Sequence, residues 1–555
     1  MPASQISVED DTGPTSSKDT FYKDNFQLPY GTSSDVENQS IAQGYPSNKY
    51  RSEDQLNRSL TARQVQMIAI AGVIGTGLFL GTGKSLATGG PASMLICYLI
   101  MGIIVYFTMI ALGEMSTFIP VAGSFCTFAT RFVDDSFGFA LTWNYWFNDA
   151  VSVASDLTAL QLVFAYWTDF PAWIISLIFW IFLIVINVIH VRAYGELEYW
   201  LALLKVITIV VFIILGIVVN CGANDLHQYL GFHYWNIPGA PFVGGFGGFA
   251  SVFVTASFAY GGTEAIGITA GETKNPARTM PKVVRTVFWR ILLFYVLAVL
   301  IVGINVPYNY PNLSNGESAT SPFTLVFQLA GSQVAGSFIN AVIVTSVISA
   351  GNHALFAGTR LMYTLALEGY APHILARLTP NRIPWVALTL TSLVAGLCFG
   401  SSFIGAGTLW DWLQNLVGVS NQLSWLSIGI TSLRFRRAMA KQGKTHLLVY
   451  KNWTYPWGPW IVVIGTSVII LIQGWTAFAP WNTSNFFSYY VELFVFPAMF
   501  IFWKVIKRTK FVRSHEMDLE TDRYIETEED KRENAYEDSL KGWKKFLYIV
   551  KSFFV

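Results

Sequence analysis

Two apolar stretches of this 555-residue sequence break at residues that a buried helix normally avoids. One reads Ala71-Gly72-Val73-Ile74-Gly75-Thr76-Gly77-Leu78, with Gly81 and Gly83 following. The other reads Ser257-Phe258-Ala259-Tyr260-Gly261-Gly262-Thr263-Glu264. Glycine weakens a helix through backbone entropy, and a glutamate placed in hydrocarbon costs more still. Where a helix breaks, backbone N–H and C=O groups lose their internal partners. A pair of breaks can hold an ionised substrate between those groups. The competing reading is close helix packing through small residues, as in G-x-x-x-G contacts. Glycine-interrupted segments at corresponding positions of two halves point instead to an inverted-repeat transporter. The halves share no clear residue-level repeat, so the symmetry is inferred from the breaks.

Three further ionisable residues lie inside apolar runs. Asp149 precedes Asp156 by seven residues and so shares nearly the same helical face. Two carboxylates there can receive a cationic side chain, or one can be protonated and structural. Lys205 stands about eight residues into its run. It either snorkels to the headgroups or, desolvated, exchanges protons. No Ser/His/Asp grouping, Walker loop or H-E-x-x-H stands out, so neither an enzyme nor an ATP-driven pump is expected. The four cysteines form no C-x-x-C, and the acids form no cage suited to sodium or calcium.

The elements that must position these residues follow from composition. Hydrophobic residues are 53% and charged residues 13%, about half the charge of an ordinary globular chain. Aromatics at 15%, with 19 Trp, fit membrane interfaces. A net charge of +1 argues against a nucleic-acid partner. Spans of about 20 apolar residues are expected at 66–86, 92–113, 138–165, 171–190, 198–219, 246–269, 287–306, 334–355, 385–402, 408–430, 459–478 and 487–506. With the N-terminus inside, the inner loops carry sixteen Lys and Arg and the outer loops only Lys84. That asymmetry places both termini in the cytoplasm.

Other motifs carry a family resemblance. Gly90-Pro91 opens the second span, Leu112-Gly113-Glu114 closes it, and Pro120 follows. Glu272-Thr273-Lys274-Asn275-Pro276-Ala277-Arg278 comes after the sixth span, then Pro281. With Ile74-Gly75-Thr76-Gly77, these resemble the fungal amino-acid permeases of the amino acid–polyamine–organocation superfamily, from about residue 60 to 525. The resemblance implies an all-α polytopic fold of twelve transmembrane helices, with a leucine-transporter-like 5+5 inverted repeat plus two extra helices. It also implies proton-driven amino-acid import at the plasma membrane, with no cofactor beyond the proton gradient, and ubiquitin-dependent turnover. Tyr194-Gly195-Glu196, Ile268-Thr269-Ala270-Gly271-Glu272 and Gln473-Gly474-Trp475-Thr476-Ala477-Phe478 look most like the basic amino-acid group, so arginine or lysine is the expected substrate.

Roles follow from that resemblance and from the chemistry of an amino acid. The carboxylate is expected at Gly75, Thr76 and Gly77, where backbone N–H groups meet the positive end of a helix dipole. The ammonium is expected at carbonyls of Ile74 and of Tyr260, Gly261 and Gly262. Phe258 and Tyr260 resemble the superfamily's aromatic gate; their alternative is packing. Asp156 occupies a position where relatives commonly carry an acid, whereas an acid at 149 is not expected of the family, and its role is open. Glu264 is read as satisfying backbone freed by the break, a role that can also couple to protons. Lys205 stands where some proton-coupled members carry a lysine.

Residues 1–60 are polar, with nine acids and five bases and no apolar period, and are read as a disordered tail. Residues 61–510 are expected to form the transporter and 511–555 a cytoplasmic tail, disordered over 511–539. Leu540–Val555 place Trp543, Phe546, Leu547 and Val550 on one arc and Lys541, Lys544, Lys545 and Lys551 on another. That pattern predicts a helix lying on inner-leaflet lipid, or packed against the protein. Two rival functions are considered. One is a non-transporting amino-acid sensor of the same fold, disfavoured because such sensors resemble this chain with a longer N-terminal extension. The other is a polyamine or organic-cation carrier.

Overall fold

The structure, a computed structural model, describes residues 74–525, apart from 122, 169, 190, 226, 266, 268–279, 282–283, 285–286, 312, 314–319, 332 and 479, and a few positions after 525. The expected N-terminal tail, the Glu272–Arg278 motif and most of the expected C-terminal helix lie outside the described residues. Every regular element among the described residues is helical; Phe478 and Trp481 form one isolated bridge.

Among the described residues, seven helical stretches are long and apolar enough to cross a membrane: Thr76–Phe118, Glu198–Asn220, Val287–Asn305, Val334–Leu367, Trp385–Ile404, Trp457–Ala477 and Thr483–Lys507. The chain is a multi-pass membrane protein. Helices α1 (Thr76–Phe79) and α2 (Gly81–Phe118) make up the first stretch, and the chain leaves helical geometry at Gly90 (φ 80°), next to Pro91. One apparent stretch thus contains the turn expected between the first two spans. Helices α3 (Ser124–Phe132) and α4 (Asp135–Phe164) follow, then α5 (Ala172–Ile189) and α6 (Val191–Asn220). Both α5 and α6 turn Ile178, Phe182, Val185, Ile207, Val211 and Ile214 outward. An apolar face that size is an aggregation hazard in water and the normal surface in lipid.

The second half holds α7 (Gly245–Tyr260), α8 (Ala298–Asn305), α9 (Pro322–Leu329), α10 (Gln333–Leu367), α11 (Trp385–Ala395) and α12 (Ser401–Ile404). It ends in α13 (Ala406–Lys441), α14 (Trp457–Ile472) and α15 (Thr483–Lys507). Two long helices, α4 and α13, fall outside the apolar set because they bury polar side chains. Asn144, Asn148 and Asp156 lie on α4, and Gln414, Asn415, Asn421 and Gln422 on α13. Helix α4 packs on both α10 and α13, while α7 packs on α2. The most polar helices are therefore central.

Residues 511–539 do not behave uniformly as the expected disordered tail: 511–524 form a strap across one end of the bundle. Val512 N–H donates to Val133 O at 3.0 Å, and Tyr524 N–H to Phe118 O at 3.0 Å. Arg131 donates to Asp518 O (2.8 Å), and Gln442 to Ser514 O (3.1 Å) and Met517 O (2.8 Å). Met517 and Leu519 are buried. Low hydropathy concealed this, because the strap is held mainly through its backbone carbonyls, and few of its side chains (Val512, Met517 and Leu519) pack into the core.

Candidate functional site

A cavity of about 70 Å³ opens where the two helix breaks meet. Gly75, Thr76 and Gly77 line it from the start of α1. Phe258, Gly261, Gly262 and Glu264 line it from the end of α7 and the residues beyond, and Asp149 and Asp156 from α4. Helix α7 stops at Tyr260, and Gly262 adopts φ 80°, a left-handed conformation that glycine takes without steric cost. The carbonyls of Ile74 and Gly261 receive no hydrogen bond from another described residue. The Gly75 carbonyl already accepts from Leu78 and Phe79 N–H.

At Gly77, a Cβ would lie 2.5 Å from Ala259 Cα. Close packing is thus real at this position and coexists with the break, so the two readings of the glycines are not exclusive.

The Thr76 hydroxyl donates to Asp156 Oδ1 at 2.8 Å. Behind Asp156, Lys205 lies within electrostatic range of both Asp156 and Glu198. Lys205 is 1% exposed, inside the bundle rather than extended to a helix end. Glu198, also buried, accepts from Ser349 Oγ (2.6 Å) and Asn352 Nδ2 (2.9 Å). A polar line therefore runs from α10 through Glu198, Lys205 and Asp156 to Thr76 at the cavity. Glu264 Oε2 accepts from Trp425 Nε1 at 3.0 Å, and Oε1 from Gly262 N–H at 3.4 Å.

Three expected residues stand off the cavity wall. Ile74 is buried off the wall, and Lys205 lies within electrostatic range of Asp156 and His353, which do line it. Tyr260 turns away: its hydroxyl donates to Tyr98 O at 3.0 Å, and its ring packs 4.3 Å from that of Tyr295. Of the expected aromatic pair, Phe258 alone reaches the cavity.

The sequence reading missed Tyr145, Asn148, Ser152, His353 and Asn421, all of which line it. Asn148 Nδ2 donates to Asn421 Oδ1 at 2.5 Å, joining α4 to α13 across the site. Amides inside apolar runs were the available signal, as was a histidine in the span 334–355. Attention to charge alone passed over them. Among the described residues, no group of three or more His, Cys, Asp or Glu is placed to hold a metal ion.

Comparison with known proteins decides the family. The amino acid permease family profile matches residues 64–516. The chain belongs to the amino acid permease family. This permease is 44% identical to the lysine-specific permease of Escherichia coli, over 83% of this chain and 96% of that relative. It is 36% identical to the lysine-specific permease of Saccharomyces cerevisiae, over 87% of this chain and 82% of the relative. The general amino-acid permease of the same yeast is 36% identical, over 90% and 86%. The resemblance drawn from the motifs is thereby established, and amino-acid transport is the function of the family.

Proposed function

We propose that this permease imports L-amino acids across the plasma membrane in symport with protons, with cationic side chains preferred and both termini in the cytoplasm. The observation that carries the reading is a single cavity lined by both helix breaks. The substrate carboxylate sits on the N–H groups of Gly75, Thr76 and Gly77, where the helix dipole is positive. The ammonium sits on the carbonyl of Gly261, on the cavity wall, and Phe258 covers the substrate. Lysine-specific relatives support the preference for cations, and the cationic inner loops support the orientation. Twelve crossings in a 5+5+2 arrangement suit the helices: α4, α5, α7 and α13 join the seven apolar stretches, with Thr76–Phe118 counted as two at Gly90.

Proton coupling passes through Thr76. While Asp156 is ionised it holds the Thr76 hydroxyl. A proton arriving on Asp156, relayed by Lys205, weakens that acceptor and frees the hydroxyl for the substrate carboxylate. The test is uptake by the purified full chain in liposomes, with labelled amino acids and an imposed inward proton gradient. Accumulation that a protonophore collapses is the expected result. Binding without net flux would make the protein a receptor instead.

A further inference from the structure

Three carboxylates border the cavity, and their hydrogen bonds separate them. Asp156 accepts from Thr76 and faces Lys205. Both oxygens of Glu264 are engaged, by Trp425 and by Gly262 N–H. Asp149 differs: its Oδ2 is buried and receives no hydrogen bond from any described residue. The nearby amides do not serve it. Asn148 Nδ2 donates to Asn421, and Ser152 Oγ donates to Asn148 Oδ1 at 3.3 Å. A buried carboxylate oxygen with an empty acceptor position is costly unless a donor arrives from outside the protein. Asp149 is on the cavity wall, so a substrate can supply one.

Position agrees with this. Asp149 lies seven residues, about 10.5 Å along the helix, from Asp156. Asp156 is tied to Thr76, where the substrate carboxylate is placed. An amino acid anchored there reaches Asp149 only through a long side chain with a donor at its end. A four-carbon stem carrying an ammonium, or a three-carbon stem carrying a guanidinium, has that form. A short or apolar side chain leaves the carboxylate unpaired, which a buried site rejects strongly.

We propose that Asp149 is the receptor for the cationic side chain of the substrate and sets the preference for arginine- and lysine-type amino acids. The proposal rests on the amino-acid import reading above. Asp156, the acid more expected from family resemblance, serves the carboxylate end and the coupling path instead.

The experiment compares the wild-type permease, Asp149→Asn, Asp156→Asn and Asp149→Glu, each full length in liposomes. Labelled arginine, lysine and leucine are supplied, and the ratio of cationic to neutral affinity is read for each protein. Asp149→Asn is expected to lower that ratio about tenfold to a hundredfold, the worth of a hydrogen-bonded charge. Asp156→Asn is expected to depress all three substrates together, and Asp149→Glu to keep a cationic preference. An Asp149→Asn protein with an unchanged ratio overturns the proposal, as does one that loses cationic and neutral substrates equally. Should Asp149→Asn fail to reach the membrane, Asp149→Glu decides: loss of cationic preference in that charge-preserving variant counts against the assignment. A wild-type protein that moves no amino acid at all defeats the import reading, a separate outcome.

Discussion

In the proposed reading, Thr76 carries two demands on one hydroxyl, and Lys205 decides which is met. The hydroxyl is held by Asp156, and Lys205 sits behind Asp156, buried between it and Glu198. Thr76→Ala removes the donor that this reading assigns to every substrate's carboxylate. It should weaken arginine, lysine and leucine alike, by about tenfold, the worth of one hydrogen bond to a charge. Thr76→Ser should recover most of the affinity. A Thr76→Ala effect confined to one substrate would remove the hydroxyl from the carboxylate site. Lys205→Ala should abolish accumulation driven by a proton gradient while leaving counterflow exchange, because the substrate groups stay in place when the proton path is cut. Accumulation that survives in Lys205→Ala would make the lysine a structural partner of Glu198. Gly77 cannot be tested in this way, since any side chain there meets Ala259.

At the scale of elements, much of this arrangement was legible in the sequence, and the reasons are specific. Gly75 and Gly77 in one apolar run, and Gly261, Gly262 and Glu264 in another, cost too much to be incidental; both runs line the same cavity. Gly90-Pro91 was read as opening the second span, and the chain leaves helical geometry at Gly90. Side-chain direction was not legible. Tyr260 and Phe258 are two residues apart on one helix, so they point in different directions, and only Phe258 reaches the site. Nor was the bond between Asn148 and Asn421, which belongs to the packing of α4 on α13 rather than to any local pattern. The break after α7 gives a prediction at this scale. Gly262→Ala forces a side chain into φ 80°, costing about 1–2 kcal/mol if the geometry is kept. Uptake should fall while surface abundance stays near normal, because the strain acts at the site and not on the span. A variant with unchanged transport would show that the break tolerates a second geometry.

For the whole molecule, the strap of residues 511–524 joins elements distant in the chain. It connects the end of α2, the α3–α4 junction and the end of α13 through Phe118, Arg131, Val133, Arg434 and Gln442. The ionic contacts of the strap, and of the α3–α4 junction beside it, set a pH window. At the junction, burial alone would raise the Asp134 carboxyl. Hydrogen bonds from Lys504, Thr509 and Ser136 N–H outweigh burial and hold it below its usual range. Burial likewise opposes the lowering at Asp518, and Thr521 and Arg131 prevail over it. Glu520 is lowered chiefly by its hydrogen bond from Lys444. Carboxyls lowered in the folded state add stability above their ordinary range, and that contribution is lost as pH falls through the lowered values. Ordinary carboxylates titrate near pH 4, so these ionic contacts should persist at neutral and mildly acidic pH and be lost only below about pH 4. Hydrogen exchange over 511–524, corrected for intrinsic rate, should show equal protection at pH 7.5 and 5.5, while Arg131→Ala should expose Asp518–Asp522 at both. Protection that disappears by pH 5.5 in the wild-type protein would mean a group other than these carboxylates holds the strap.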